Sequence, residues 1–311
     1  MSAPVLTVIV CTYNRAPFLQ LCLESVTAQI TNNDDDDFNV IVVDNNSSDG
    51  TAQVVDAFVE KYDNFTYLFE PAQGLSHARN AGYKAAQTDF VAYLDDDATA
   101  SSGWVGAILD AFANVKPEPL AVGGLIVPWY ESTPPSWFTD DFETRKWGDH
   151  AQFLPASKAR YGFAGGNLAL NRSLLAQLGG FSTSHGMVGG QIRMGEETDL
   201  FHRIAVQNKE RLAQAFWYEP RMKINHWTPV RNFLPAYRLQ RSRASGQAAA
   251  VIEGSTWGAA RQILFAIKVV LTLPVAALKA TVPKTAWMKA RFSLAYVAGY
   301  LGASKGVLRQ K

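Results

Sequence analysis

The first hundred residues alternate between two hydrophobic periods, and this alternation limits the possible folds more than any other feature. VLTVIV (5–10), NVIVVD (39–44), FTYLFE (65–70) and FVAYLD (90–95) are short apolar runs of strand length. Between them, APFLQLCLESVTAQ (16–29), DGTAQVVDAFVEKY (49–62) and SHARNAGYKAAQ (76–87) follow the period of helices, the second with Asp49 or Ser48 as its expected N-cap. Strands joined by helices of this length imply right-handed βαβ units and a parallel sheet covered on both faces. The expected fold class is α/β, with a Rossmann-like, mostly parallel sheet. In such sheets ligands bind beyond the carboxyl ends of the strands.

Those ends are where the polar residues fall. Thr12, Tyr13, Asn14 and Arg15 follow the first strand, Asp44, Asn45, Asn46 and Ser47 the second, and Asp95, Asp96 and Asp97 the fourth. Three clusters at one edge converge on a pocket. A second acidic run, DDDD at 34–37, falls at the opposite edge and reads as a solvated loop. Side chains alternate along an extended chain, so Asp95 and Asp97 share one side and Asp96 takes the other. Two carboxylates offering only oxygen suit a hard divalent cation, Mn²⁺ or Mg²⁺, which offsets their repulsion and can hold a diphosphate. No G-x-G-x-x-G follows a strand and no G-x-x-x-x-G-K-[ST] is present, which disfavours dinucleotide-binding and P-loop proteins. Nucleotide-sugar and nucleotide-transfer chemistry remain as the leading classes.

VIVCTYNR, VIVVDNNSSDGT, GLSHARNAG, YLDDDA and GEETDL, in this order, resemble the family 2 glycosyltransferases of GT-A fold across residues 5–226. The resemblance implies transfer from a nucleotide diphosphate-sugar to a hydroxyl, with inversion. It places Thr12, Tyr13 and Asn14 along the nucleotide pocket, Asp44 at the base, and Arg79 and Asn80 near the nucleotide and its diphosphate. Arg15, Asn46 and Asp96, in the same clusters, count with the donor site. Asp95 and Asp97 match the family's Asp-x-Asp element, which holds the cation and the donor sugar or ribose.

Three later segments extend the resemblance. YGFAGGNLALNRSLLAQLGGF (161–181) is similar to the acceptor-side glycine-rich segment, with Gly165, Gly166 and Asn167 as candidates; a tight turn before a strand is the alternative. GEETDLFHRI (195–204) reads as a helix start, where acids are favoured regardless of function. The family has an acidic pair here that supplies the general base, so Glu197, or else Glu196, is the implied base, while Asp199 and Arg203 can pair along the helix. His226, in RMKINHW, is either structural or a third cation ligand. The stretch 128–150 holds Trp129, Tyr130, Trp137, Phe138 and Trp147 among prolines and reads as a long loop, its aromatics either stacking on sugar or packing.

The near-zero net charge conceals an asymmetry: residues 1–220 sum to −13 and residues 221–311 to +14. The basic part interleaves Lys268, Lys279, Lys284, Lys289 and Arg291 with apolar residues, and the longest uncharged stretch inside its most apolar part, Val269–Leu278, is too short to span a bilayer. It reads as amphipathic helices on an anionic membrane surface, or as a helical subdomain packed on the core. It is too apolar for a nucleic-acid surface. The division expected is a GT-A catalytic domain over 1–226 and a helical, basic and apolar extension over 227–311. Two cysteines, Cys11 and Cys22, are too few for a disulfide framework, and the first residues read as a strand rather than a signal peptide. The expected location is cytoplasmic, peripheral on the inner face of the membrane, with a saccharide or lipid-linked acceptor. A sugar nucleotidyltransferase and a binding scaffold without turnover remain as rivals.

Overall fold

A computed structural model describes residues 5–30, 38–159, 162–184, 187, 194–253, 263, 264, 267 and 284–308. The acidic run at 34–37 and the stretch Val269–Leu278 lie outside the described residues. The strands are β1 (Leu6–Thr12), β2 (Phe38–Asp44), β3 (Phe65–Phe69), β4 (Phe90–Asp95), β5 (Ala98–Ala100), β6 (Ala121–Tyr130), β7 (Gln152–Phe153), β8 (Asn167–Asn171) and β9 (Phe216–Thr228). The helices α1 (Ala16–Thr27), α2 (Thr51–Val59), α3 (Leu75–Ala85), α4 (Trp104–Asn114), α5 (Ala156–Ala159), α6 (Arg172–Leu178), α7 (Glu196–Gln207) and α8 (Pro235–Glu253) precede a further helix, Lys284–Leu308.

The alternation of strands and helices yields the sheet it implies. Strand order is β3-β2-β1-β4-β8-β6-β9-β5, with β7 paired to β9. The first four strands pair in parallel, whereas β8 runs antiparallel to both β4 and β6. Alternate side chains of the parallel strands enter opposite cores. Val8, Val10, Val40 and Val42 pack with Leu19, Leu23, Val55, Trp104 and Ile108 from α1, α2 and α4. Ile9, Ile41 and Val43 pack with Ala78, Tyr83, Leu175, Leu200 and Phe201 from α3, α6 and α7. Both faces of the parallel strands are therefore buried, which is why these runs are continuously apolar.

Two local expectations change. Gly50, not Asp49 or Ser48, is the N-cap of α2; Asp49 instead accepts the amides of Thr51 and Ala16 at 3.0 and 3.1 Å, tying the starts of α2 and α1 together. The segment 128–150 is not loop throughout, because β6 continues through Pro128, Trp129 and Tyr130.

The described chain divides into two compact units. The first comprises Met1–Trp129, Glu143–Ser184 and Glu196–Trp227, and contains the sheet described above. The second comprises Tyr130–Phe142, His185–Gly195 and Thr228–Lys311. In the second, Trp137, Phe138, Phe233, Met288 and Phe292 form an apolar cluster, and Ala249 and Ala250 of α8 pack with Tyr300. Trp137 and Phe138 are thus packing residues, each under a tenth exposed, and not a sugar platform.

Asn167 joins the antiparallel part of the first unit. It is 1% exposed, accepts Trp104 Nε1–H at 2.9 Å, and donates Nδ2 to Met222 O at 2.8 Å and Leu125 O at 3.2 Å. One amide thereby connects β8, α4, β9 and β6. Removing it leaves buried partners unsatisfied, so Asn167→Ala is expected to destabilise the protein by about 2–4 kcal/mol. Thermal unfolding measures this, and an unchanged midpoint contradicts the role.

Candidate functional site

The loops at the strand ends are built by residues that tolerate unusual backbone. Asn14 and Asn46 adopt left-handed φ values of 52° and 67°, which asparagine accepts more readily than branched residues. Asn14 then binds across to the second loop, its amide donating to Ser47 Oγ at 3.0 Å and its Oδ1 accepting Ser48 N–H at 2.7 Å. Asp44, 2% exposed, accepts Ser47 N–H at 2.8 Å and the Tyr67 hydroxyl at 2.9 Å. Burial and this bond to Asp44 push the Tyr67 phenol up to about 12. Tyr13 and Asn46 are exposed at the same edge, and Thr12 is buried beside it.

The three aspartates occupy three different environments. β4 ends at Asp95 and the chain turns through Asp96 and Asp97 before β5, so strand alternation does not reach the last two. The pairing of β5 with β9 decides their placement instead: Ala98 faces His226, and Trp227 N–H donates to Asp97 O at 2.8 Å. His226 Nε2 consequently lies 3.2 Å from Asp97 Oδ1 and 3.4 Å from Asp95 Oδ2. Arg15 Nη1 bonds to Asp96 Oδ1 at 3.0 Å and makes a shorter bond to Asp97 Oδ2. Burial raises Asp96 to about 7 against the pull of Arg15, with Asp97 adding to the rise. Burial also opposes ionisation of Asp95, but His226 and Arg79 hold it at about 2. Burial likewise opposes the charge of His226, and Asp97 and Asp95 nevertheless raise it to about 9.

Asp95, Asp97 and His226 offer ligand atoms that all lie within 4.8 Å of one another. Two carboxylates and an imidazole are a donor set suited to a divalent cation, so these residues fit the group their sequence suggested.

Arg79 connects this cluster to the acidic helix start. It is 2% exposed, comes from α3, and its Cζ lies 5.3 Å from the centroid of the Phe181 ring and 5.9 Å from that of the Tyr93 ring. Its Nη1 is 3.2 Å from Glu197 Oε1 and 3.6 Å from Glu196 Oε1, and its Nη2 is 3.6 Å from Asp95 Oδ1. Burial opposes its charge, yet Glu197, Asp95 and Glu196 together raise its pKa above the usual value. Gly165 N–H also donates to Glu197 Oε1, at 3.1 Å. A Cβ on Gly165 would sit 2.5 Å from Arg79 Nη2 and Glu197 Oε1, and one on Gly166 would sit 2.0 Å from Asp95 Oδ2. Both glycines thus lie in close approach to the charged groups, and a side chain at either would displace them.

Two of the sequence candidates do not join the cluster. Asn80 is occupied by Phe181, donating to its carbonyl and accepting its amide, both at 2.8 Å. Asn167 is occupied by the scaffold, as described above. Asp199 and Arg203 pair on α7 at 2.7 Å. Conversely, sequence reasoning did not single out Tyr67, whose strand position gave no sign of its bond to Asp44. It also did not anticipate that Arg79 meets Glu197 across 118 positions of sequence.

Glu196 and Glu197 are not equivalent. Burial, and then the charge of Glu197, lift Glu196 from the ordinary 4.5 to about 8 despite Arg79. A carboxyl whose folded pKa exceeds its unfolded value takes up a proton on folding. It therefore subtracts stability as pH rises from about 4.5 to about 8. Glu196→Gln mimics the protonated form and is expected to be more stable than the wild type above about pH 8, by a few kcal/mol on the order-of-magnitude scale of such shifts. Urea unfolding should show this gap closing towards about pH 4; a gap independent of pH contradicts it.

The model of the family described as Glycosyl transferase family 2 matches residues 7–179. A glucosyl-dolichyl phosphate glucuronosyltransferase of Haloferax volcanii is 29% identical over 249 residues, covering 74% of this chain and 75% of that protein. The succinoglycan biosynthesis protein ExoM of Rhizobium meliloti is 31% identical over 196 residues, covering 62% of this chain and 58% of its own. Among solved structures, the mannosyltransferase PcManGT of Pyrobaculum calidifontis, in complex with GDP-Man and Mn²⁺, aligns with a TM-score of 0.63 at 22% identity. That alignment covers 97% of this chain and 88% of that one, and it supports the GT-A fold alone.

Proposed function

Because the chain belongs to glycosyl transferase family 2 and is a glycosyltransferase, we propose that it is a cation-dependent, inverting enzyme. Its donor is a nucleoside diphosphate-sugar and its acceptor a hydroxyl of a lipid-linked saccharide. The observation that carries this reading is the continuous charged arrangement from Asp95, Asp97 and His226 through Arg79 to Glu197. The donor and acceptor classes are supported by the relative named for glucosyl-dolichyl phosphate and by the neighbour bound to GDP-Man and Mn²⁺.

In this reading Asp95, Asp97 and His226 would hold Mn²⁺ or Mg²⁺, which when bound would supply Lewis-acid stabilisation of charge on the leaving diphosphate. The loops carrying Thr12, Tyr13, Asn14, Asp44 and Asn46 line the nucleoside. Glu197 accepts the proton of the acceptor hydroxyl as that oxygen bonds to the anomeric carbon, opposite the departing nucleoside diphosphate. The choice of Glu197 over Glu196 follows from access: the Glu197 side chain is 23% exposed and that of Glu196 only 8%, and this burial favours the protonated form of Glu196. Gly165 N–H and Arg79 orient Glu197 through Oε1, as an inverting base must be oriented.

A donor panel of nucleotide sugars with Mn²⁺ or Mg²⁺ tests the assignment by thermal stabilisation and by product. Glu197→Gln is expected to lower kcat by roughly 10²–10⁴-fold with donor affinity retained. Asp97→Asn should remove cation-dependent donor binding itself. If no nucleotide binds in a cation-dependent way, the scaffold reading replaces this one.

The basic segment supports a peripheral place on an anionic membrane surface, which we assign to the inner face of the cell membrane. Residues 221–311 carry +14, and among the described residues no helix is long and apolar enough to cross a membrane. Ile263, Leu264, Ile267 and Trp287 are each about half exposed or more. Cosedimentation with phosphatidylglycerol vesicles should weaken steeply with added salt; binding that ignores lipid charge contradicts the assignment.

A further inference from the structure

The second compact unit carries a cationic group of its own around the start of α8. The short turn Val230–Phe233 leads through Leu234 into this 19-residue helix. Arg231 Cζ lies 5.6 Å from the centroid of the Tyr237 ring, and Arg241 Cζ lies 5.9 Å from the same centroid. Tyr237 and Arg241 stand one helical turn apart, on one face of α8. Neither arginine has a carboxylate partner among the described residues. By contrast Arg15, Arg79, Arg203 and Arg221 all do. Glu131 does reach this turn, but its Oε2 accepts Val230 N–H at 2.8 Å. The first turn of α8 contains no acid. Beside the group, Val230 is 43% and Leu234 52% exposed.

We propose that Arg231, Arg241 and Tyr237 bind the phosphate head of the lipid-linked saccharide acceptor, with Val230 and Leu234 against its hydrocarbon. This rests on the acceptor class proposed above. Ring attraction holds each guanidinium only weakly, about 0.5–1 kcal/mol at an exposed site, and does not offset the charge concentrated there. An anion does. Guanidinium forks match phosphate oxygens bidentately, the phenol adds a third donor, and the positive end of α8 adds to the field. The exposed valine and leucine select the source. A soluble phosphate gains nothing from them, whereas a phosphate carried on a hydrocarbon chain removes them from water.

The test uses the full chain and phosphatidylcholine vesicles containing either a polyprenyl phosphate or phosphatidylglycerol at matched surface charge. The wild type should prefer the polyprenyl phosphate vesicles, and the R231Q/R241Q double variant should bind both alike. Tyr237→Phe, which keeps the ring, should lose part of the preference. In transfer assays R231Q/R241Q should raise the acceptor KM roughly tenfold, as for loss of a charge-assisted contact, with kcat and donor KM unchanged. A wild type without preference, or a preference that survives in R231Q/R241Q, overturns the proposal. Displacement by inorganic phosphate at concentrations equal to the lipid phosphate overturns the lipid assignment. Cation-dependent nucleotide binding, followed on the same samples, reports on the donor site separately. Its loss sinks the transferase mechanism while leaving an arginine-dependent lipid preference intact.

Discussion

The guanidinium of Arg79 is the interaction on which the rest of the first unit's charged chemistry depends. Asp95, Glu196 and Glu197 approach it within 3.6 Å, and both Glu196 and Arg79 are almost fully buried. Carboxylates gathered so closely and withdrawn from water repel one another, and only a central cation with several donors makes the gathering tolerable. Lysine would supply the charge without the geometry. Arginine presents separate N–H groups to the strand end and to the helix start at once. Its position follows from α3 lying against β1 and β2, with the edge-to-face pair of Phe181 and Tyr93 packed beside it.

The charges around Arg79 are graded, and the grading follows from contacts rather than residue type. Three adjacent aspartates differ because Asp95 meets Arg79 and His226, Asp97 meets His226 and Arg15, and Asp96 has Arg15 as its one ion-pair partner among the described residues. The last is left with burial as its dominant influence and rises to about 7. The glutamates separate in the same way. Glu197 has Gly165 N–H and lies 3.2 Å from Arg79 Nη1, whereas Glu196 lies 3.6 Å from the same nitrogen and is more deeply buried. Burial therefore favours the protonated form of Asp96 and of Glu196, one member of each run of like residues, and such perturbed carboxyls gather where charged chemistry is organised.

Much of the parallel sheet was legible because continuous apolar runs and helical periods report burial on two faces directly. The antiparallel half was less so. β5 has three residues and β8 five, and their places depend on His226 and Asn167 meeting partners far away in sequence. The acidic cluster at 95–97 was legible as a cation site, but not for the reason alternation supplied, since the strand stops at Asp95. The convergence came from pairing with β9, a long-range event with no local signature.

The asparagines show why a motif's polar residue need not face a ligand. Asn14, Asn80 and Asn167 all sit in segments that read as binding elements, yet each bonds to protein groups at both ends or across loops. An amide has a donor and an acceptor side by side, which is the complement of a backbone segment. Asn80 uses both on Phe181, the residue whose ring lies over Arg79. Asn167 uses both to hold β8, whose preceding glycines touch Asp95 and Glu197. Their sequence signal therefore reflects the precision with which charged groups must be held. A side chain one bond removed from the chemistry leaves the same mark in a motif as one that performs it, and only its hydrogen-bond partners separate the two.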